Sequence, residues 1–182
     1  MAADPAATVE AALPLDALST MTTIRRYADA DWPAVWSILQ PTFAAGETYA
    51  YAPSISEPEA RRAWIDAAAA TWVALADGAI VGTYYVKANQ PGQGAHVCNC
   101  GYVTAEAARG QGIASAMCEH SQREALALGF RAMQYNLVVA TNTDAIRLWQ
   151  RHGFAIVGTL PHAYHHRTLG YVDALVMYKE LA

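Results

Sequence analysis

The chain has 182 residues, 54% of them hydrophobic and 15% charged, a length and balance that fit one globular domain with a sizeable core. Its formal net charge of −4 at pH 7 excludes the basic surplus that a phosphate backbone or an anionic bilayer selects, so neither nucleic acid nor a membrane is an expected partner. No apolar run approaches the roughly 20 residues that a helix needs to cross a bilayer, and the cysteines, Cys98, Cys100 and Cys118, are too sparse for a disulfide framework and fit a reducing, cytoplasmic setting.

Residues 1–21 are rich in alanine, carry Asp4, Glu10 and Asp16, and lack lysine and arginine, unlike a signal or transit peptide; they read as a leader or docking arm before a domain over 22–182. Thr23–Arg26 predicts a short strand. Asp31-Trp32-Pro33 predicts a helix start, with Asp31 as cap and Pro33 in the first turn, and the helix runs to about Phe43. After a loop from Ala44 to Ile55, Ser56 and Glu59 have the spacing of a capping box and open a second helix through Ala70. Thr71–Ala76 and Ala79–Lys87 read as strands joined at Asp77-Gly78, a pair that tolerates positive φ.

Gln90–Gly94 predicts a turn, and His96–Val103 a central strand. Helical periodicity resumes over Gly112–Leu128 and stops at Gly129. Arg131–Val139 is an apolar strand, Asn142–Arg151 a helix ended by Gly153, and Phe154–Leu160 and Tyr171–Lys179 are closing strands with a loop, His162–Gly170, between them. Two helices, a hairpin and two strand–helix units predict an α/β sandwich around one mixed sheet.

The motif that points to chemistry is Arg109-Gly110-Gln111-Gly112-Ile113-Ala114, between a strand and a helix. Glycines let the backbone turn tightly against a bulky anion, and a helix N-terminus adds unpaired amides and a positive dipole end. The expected ligand is a diphosphate. Neither the dinucleotide spacing G-x-G-x-x-G nor a triphosphate loop is present.

The same six residues resemble the Q/R-x-x-G-x-G/A signature of the GNAT acetyltransferases, and Asn142, Ala145, Leu148, Gly153 and Phe154 resemble that family's segment around the following helix. The resemblance covers about residues 22–180. It implies a GNAT-type sandwich with a mixed, mostly antiparallel sheet of about six or seven strands, about four helices, and splayed fourth and fifth strands. It also implies acetyl-CoA as co-substrate and no metal. Arg109, Gly110, Gln111, Gly112, Ile113 and Ala114 would hold the pyrophosphate; Gly101, Tyr102 and Val103 would face the pantetheine, with Asn142 and Trp149 across from them. A strand amide near Tyr102 would polarise the thioester carbonyl. Trp149 stands where the family commonly has a tyrosine, and its indole N–H is a poor acid, so the departing thiolate takes its proton from water or the substrate ammonium, or leaves unprotonated.

For the acceptor, Asn99 and Asn136 are polar residues on strands expected to be apolar; as buried amides both need partners, and both are candidates for substrate recognition. Cys98–Tyr102, Asn136–Val138, Thr141-Asn142 and the closing segments resemble the fungal proline-analogue N-acetyltransferases. That resemblance implies that Asn99, Asn136 and the Leu137 amide hold a cyclic imino acid such as azetidine-2-carboxylate, in a detoxification or resistance role. Glu47, His96, Tyr84, Tyr85 and a water chain are the candidates for the base. Other small amines or amino acids of the phosphinothricin or tabtoxin type, a protein N-terminus, and a non-catalytic acetyl-CoA sensor are the competing readings. His162, His165 and His166 read as a loop edging the pocket rather than a zinc site. The Ala-rich arm and the long C-terminal strand region are compatible with a homodimer.

Overall fold

The computed structural model describes residues 22–181, so the N-terminal arm lies outside the described residues. Seven strands, β1 (Thr23–Arg26), β2 (Ala70–Ala76), β3 (Ala79–Ala88), β4 (Val97–Thr104), β5 (Ala132–Val139), β6 (Ala155–His166) and β7 (Gly170–Glu180), form one sheet in the order β1-β2-β3-β4-β5-β7-β6. Every pairing is antiparallel except β4 with β5. Four helices cover it: α1 (Trp32–Ala45), α2 (Glu57–Arg61), α3 (Ile113–Ala127) and α4 (Thr143–Arg151). The expected mixed, mostly antiparallel sandwich is the observed fold.

Local chemistry accounts for most of the boundaries. Asp77 and Gly78 both take positive φ, 50° and 78°, which matches the right-handed twist of the β2–β3 hairpin. The Ser56 amide and hydroxyl both bond the Glu59 carboxylate, at 3.0 and 2.6 Å, closing the capping box of α2. The second helix is shorter than expected: α2 passes at Arg62 into one π turn, which ends at Asp66. Tertiary bonds anchor this wider turn, because the buried Trp64 indole donates to the Thr83 hydroxyl at 3.2 Å and the Trp64 carbonyl accepts from the Thr71 hydroxyl at 3.0 Å.

The closing strand is longer than expected, running to His166 instead of Leu160, so most of the anticipated His162–Gly170 loop is strand. β6 absorbs Pro161 and His162 in a register shift between Leu160 and Tyr164, where His162 takes φ 52°. Proline is tolerated there because β6 is an edge strand.

The two sheet faces bury separate cores. The core between the sheet and α1 and α2 contains Val35, Leu39, Phe43, Trp64, Val73, Tyr85 and Val103; the core between the sheet and α3 and α4 contains Tyr84, Cys98, Cys100, Met117, Met133, Tyr135 and Trp149. All the cysteines are free and buried, as small core residues. β4 is central to both cores, and its side chains alternate between them.

The sheet is incomplete at its middle. Parallel pairing of β4 with β5 is confined to Val97 with Ala132 and Cys98 with Met133. Beyond it the strands part, and β5 carries an extra residue between Tyr135 and Val138, a bulge that bends it further. Gly101 borders this gap, and a Cβ there would stand 2.6 Å from the Tyr85 ring and 3.2 Å from the Trp64 ring. Gly101→Ala is therefore expected to destabilise the fold by about 1–3 kcal/mol through overpacking, read as a lower midpoint in urea unfolding; an unchanged midpoint would mean the aromatic wall yields freely.

Candidate active site

The gap between β4 and β5 opens into a cleft of about 1490 Å³ that receives the glycine loop at one end and the α1–α2 loop at the other. Strand parity determines which backbone groups face it. The Ala105 amide bonds the Val81 carbonyl on β3 and the Asn89 amide bonds the Val97 carbonyl, both at 2.8 Å, so odd-numbered residues of β4 turn their backbone toward β3. The His96 carbonyl accepts from the Arg131 amide at 2.8 Å, so even-numbered residues turn theirs toward β5 and the gap.

Of the three residues expected to face a pantetheine arm through their backbone, only Tyr102 has that parity; Gly101 and Val103 line the wall while their amides serve β3. Thr104, which sequence reasoning missed, presents the next gap-facing pair and could have been found by counting parity along the strand. The Tyr102 N–H donates to the Tyr49 hydroxyl at 2.8 Å, and that hydroxyl donates back to the Tyr102 carbonyl at 2.9 Å. The Tyr102 phenol points into the opposite core, bonded to Ser121 at 2.7 Å and Tyr135 at 3.1 Å, and burial holds its pKa well above the usual phenol value.

The glycine loop has the form of an anion cradle. Gly110 and Gly112 adopt φ 77° and 81°, and an added Cβ at either would meet nothing within 4 Å, so the backbone is open to a ligand. The Ala116 amide bonds the Gly112 carbonyl at 3.0 Å, which leaves the Ile113, Ala114 and Ser115 amides without a carbonyl one turn back. Ile113 is buried and anchors the helix start, Arg109 is exposed at the cleft, and the Gln111 amide folds back to the Ala107 carbonyl at 3.2 Å. A diphosphate fits this donor set.

Across the gap, the Asn142 side chain caps α4 by accepting from the Ala145 amide at 3.4 Å. Arg147 and Arg151, on the same helix, line the cleft. Trp149 is buried, its ring 4.9 Å from that of Tyr102 and 5.1 Å from that of Tyr135, and it forms part of the cleft wall.

At the other end the two strand asparagines differ. Asn99 is buried and bonded at both its oxygen and its nitrogen: it accepts from the Tyr85 hydroxyl at 3.1 Å and donates to the Gln134 carbonyl at 2.9 Å, bridging β4 and β5 one residue beyond their last backbone pair. Asn136 is exposed rather than buried because it lies where β5 bulges out of its ladder, and it bonds the side chains of Asn89 at 2.6 Å and Gln134 at 2.9 Å. Both asparagines and Leu137 line the same cleft.

The candidate bases separate by position. His96 lies outside the cleft, against the Gln93 carbonyl, and Tyr84 faces the opposite core, bonded to His120 Nδ1 at 2.6 Å. Tyr85 lines the cleft, but burial raises its pKa far above the usual phenol value, as it does for Tyr49 and Tyr84, so these are neutral donors. Glu47 is exposed, follows the left-handed Gly46 that ends α1, and lines the cleft. His162, His165 and His166 have separate partners: Asp173 bonds the His162 amide, the Tyr171 ring stacks on His165, and His166 Nδ1 accepts from the Thr168 amide.

Residues 32–154 match the model of the acetyltransferase (GNAT) family. The chain belongs to the GNAT family. A solved GCN5-related N-acetyltransferase from Kribbella flavida is 42% identical, with 87% of this chain and 97% of that one covered and a TM-score of 0.83. The N-acetyltransferase aca1 of Schizosaccharomyces pombe is 36% identical over 98 residues, which are 53% of this chain and about half, 47%, of that relative. A phosphinothricin acetyltransferase from Sinorhizobium meliloti, solved in complex with AcCoA, shares the fold at 22% identity, with 88% and 89% coverage and a TM-score of 0.79. No helix among the described residues of this GNAT chain is long and apolar enough to cross a membrane.

Gly112→Asp puts a carboxylate and a strained positive φ into the cradle of the GNAT domain. Calorimetric titration is expected to show acetyl-CoA binding weakened at least about 30-fold, the loss of one or two charge-assisted bonds; wild-type affinity would place the diphosphate elsewhere.

Proposed function

We propose that this GNAT enzyme transfers acetyl from acetyl-CoA to the nitrogen of a small amino or imino acid, with L-azetidine-2-carboxylate or a related proline analogue as acceptor. The observation that carries this reading is the distribution of charge along the cleft. The lining cations Arg109, Arg147 and Arg151 belong to the glycine loop and α4, at the cradle end, where the carboxylates Glu106 and Asp144 also line the cleft and Asp144 pairs with Arg147 at 3.4 Å. The acceptor end is built from neutral amides, Asn99 and Asn136 with Gln134 and Asn89 behind them, and Glu47 on the α1–α2 loop lines the same cleft. Neutral donors such as Asn136 Nδ2 and the Leu137 amide suit the carboxylate of a small zwitterion, and Glu47 suits its ammonium.

In this arrangement acetyl-CoA supplies the acetyl group as a thioester. The cradle amides and Arg109 anchor its diphosphate, and the Tyr102 N–H donates to the carbonyl oxygen on which negative charge develops. The acceptor ammonium gives up one proton to Glu47, directly or through water, its freed lone pair forms the C–N bond as the C–S bond breaks, and the nitrogen releases its second proton to solvent. The thiolate takes its proton from solvent, since Trp149 offers only an indole. Holding the nitrogen and the thioester carbon in contact between two fixed strands supplies much of the rate.

Thiol release should be measured with L-azetidine-2-carboxylate, cis-4-hydroxyproline, phosphinothricin and a generic peptide. Turnover confined to the cyclic imino acids is expected; turnover confined to phosphinothricin or the peptide would discard this acceptor class. Asn136→Ala, at an exposed position, should leave stability within about 0.5 kcal/mol and lower kcat/KM for the acceptor by about 10- to 100-fold at unchanged acetyl-CoA affinity. Full activity of that variant on every good acceptor would remove Asn136 from the site.

A further inference from the structure

If the thioester lies in the β4–β5 gap, as just proposed, the donor that polarises it is already engaged. The Tyr49 hydroxyl accepts from the Tyr102 amide and donates to the Tyr102 carbonyl, so one side chain satisfies both gap-facing backbone groups of Tyr102. The phenol is held in place from several sides. Its ring packs edge-on against Phe43 and Trp64, with centroids 5.4 and 5.7 Å away, and stacks on Tyr51 at 6.0 Å. The Tyr164 hydroxyl, from β6, donates to the Tyr49 carbonyl at 3.1 Å. A tethered hydroxyl of this kind competes for the Tyr102 amide far better than a free water, because its bonds cost no immobilisation.

The segment that carries Tyr49 is a loop. It lies between α1 and α2, outside regular secondary structure, and begins at Gly46, whose left-handed conformation ends α1. Glu47, two residues before Tyr49, is on the same segment and faces the same cleft. The carbonyl oxygen of an acetyl thioester and the Tyr49 hydroxyl cannot both take the single Tyr102 proton at full strength. Free CoA has no such oxygen and leaves the hydroxyl where it is.

We propose that Tyr49 is an acyl-sensing positioning residue: its hydroxyl plugs the Tyr102 amide in the absence of an acyl carbonyl and yields it to the thioester oxygen of acetyl-CoA. The pantetheine arm alone does not trigger the exchange. The segment carrying Glu47 therefore registers whether an acetyl group is present, and it resets when the product is CoA.

Tyr49→Phe keeps the ring and removes only the hydroxyl. In calorimetric titrations of the purified chain, this variant is expected to bind acetyl-CoA about 3- to 10-fold more tightly than wild type, as one net hydrogen bond no longer has to be displaced, and CoA within about twofold of wild type. A purely structural role would move both ligands together. Unchanged or weaker acetyl-CoA binding, or a parallel shift for CoA, overturns the plug while leaving the cleft assignment intact, provided Gly112→Asp weakens binding of both ligands at least about 30-fold. Wild-type affinity in Gly112→Asp overturns the cleft assignment and the plug together. Wild-type crystals with each ligand give the same test without a substitution: the Tyr49 hydroxyl is expected off Tyr102 with acetyl-CoA and on it with CoA, and its presence on Tyr102 in both overturns the proposal.

Discussion

The whole site depends on the β4–β5 ladder ending after two backbone pairs. A sheet interrupted at its centre leaves N–H and C=O groups unpaired, and each one buried without a partner costs about 1–3 kcal/mol. The chain meets this with side chains: Asn99 bridges to the Gln134 carbonyl where the ladder stops, and Tyr49 covers Tyr102 three residues further along. What remains open is a slot with backbone donors along one edge and a helix N-terminus at its mouth. We propose that the missing hydrogen bonds of the sheet form the binding site of this domain.

Such a gap stays open only if its walls do not collapse into it, and aromatic packing provides those walls. On one side, Phe43, Tyr49, Trp64 and Tyr85 form a continuous chain of ring contacts with centroids 4.8–5.9 Å apart. On the other, Tyr102, Trp149, Tyr135 and Phe154 do the same at 4.3–5.9 Å. Trp149 therefore has a mechanical role here, filling space under the gap. Large, stiff side chains hold the strands apart at low entropic cost, which is what a preorganised site requires.

Much of this was legible in the sequence, and the reasons differ by feature. Asp77-Gly78, Ser56 with Glu59, and Gly129 carry their structural meaning in local chemistry, so the hairpin, the capping box and the end of α3 appear where they were expected. The glycine loop was legible for the same reason. The π turn after α2 and the extension of β6 past Pro161 were not, because tertiary contacts from Trp64 and the edge position of β6 decide them. Parity along β4 assigns Tyr102 and Thr104 to the gap; an expectation drawn from the resemblance alone grouped Gly101 and Val103 with Tyr102. The exposure of Asn136 follows from a bulge that no local pattern announces. Nothing near Tyr49 in the sequence indicates that its hydroxyl reaches Tyr102, a residue 53 positions away.

We propose that the gap edge of β4 and the start of α3 together hold acetyl-CoA. The most direct measurement is a titration of the ¹⁵N-labelled chain with acetyl-CoA, followed amide by amide. The Tyr102 and Thr104 amides are expected to shift together with those of Gly110 to Ser115, while Ala105, bonded to β3, shifts far less. Shifts that spare Tyr102 and the α3 N-terminus and gather elsewhere would contradict it.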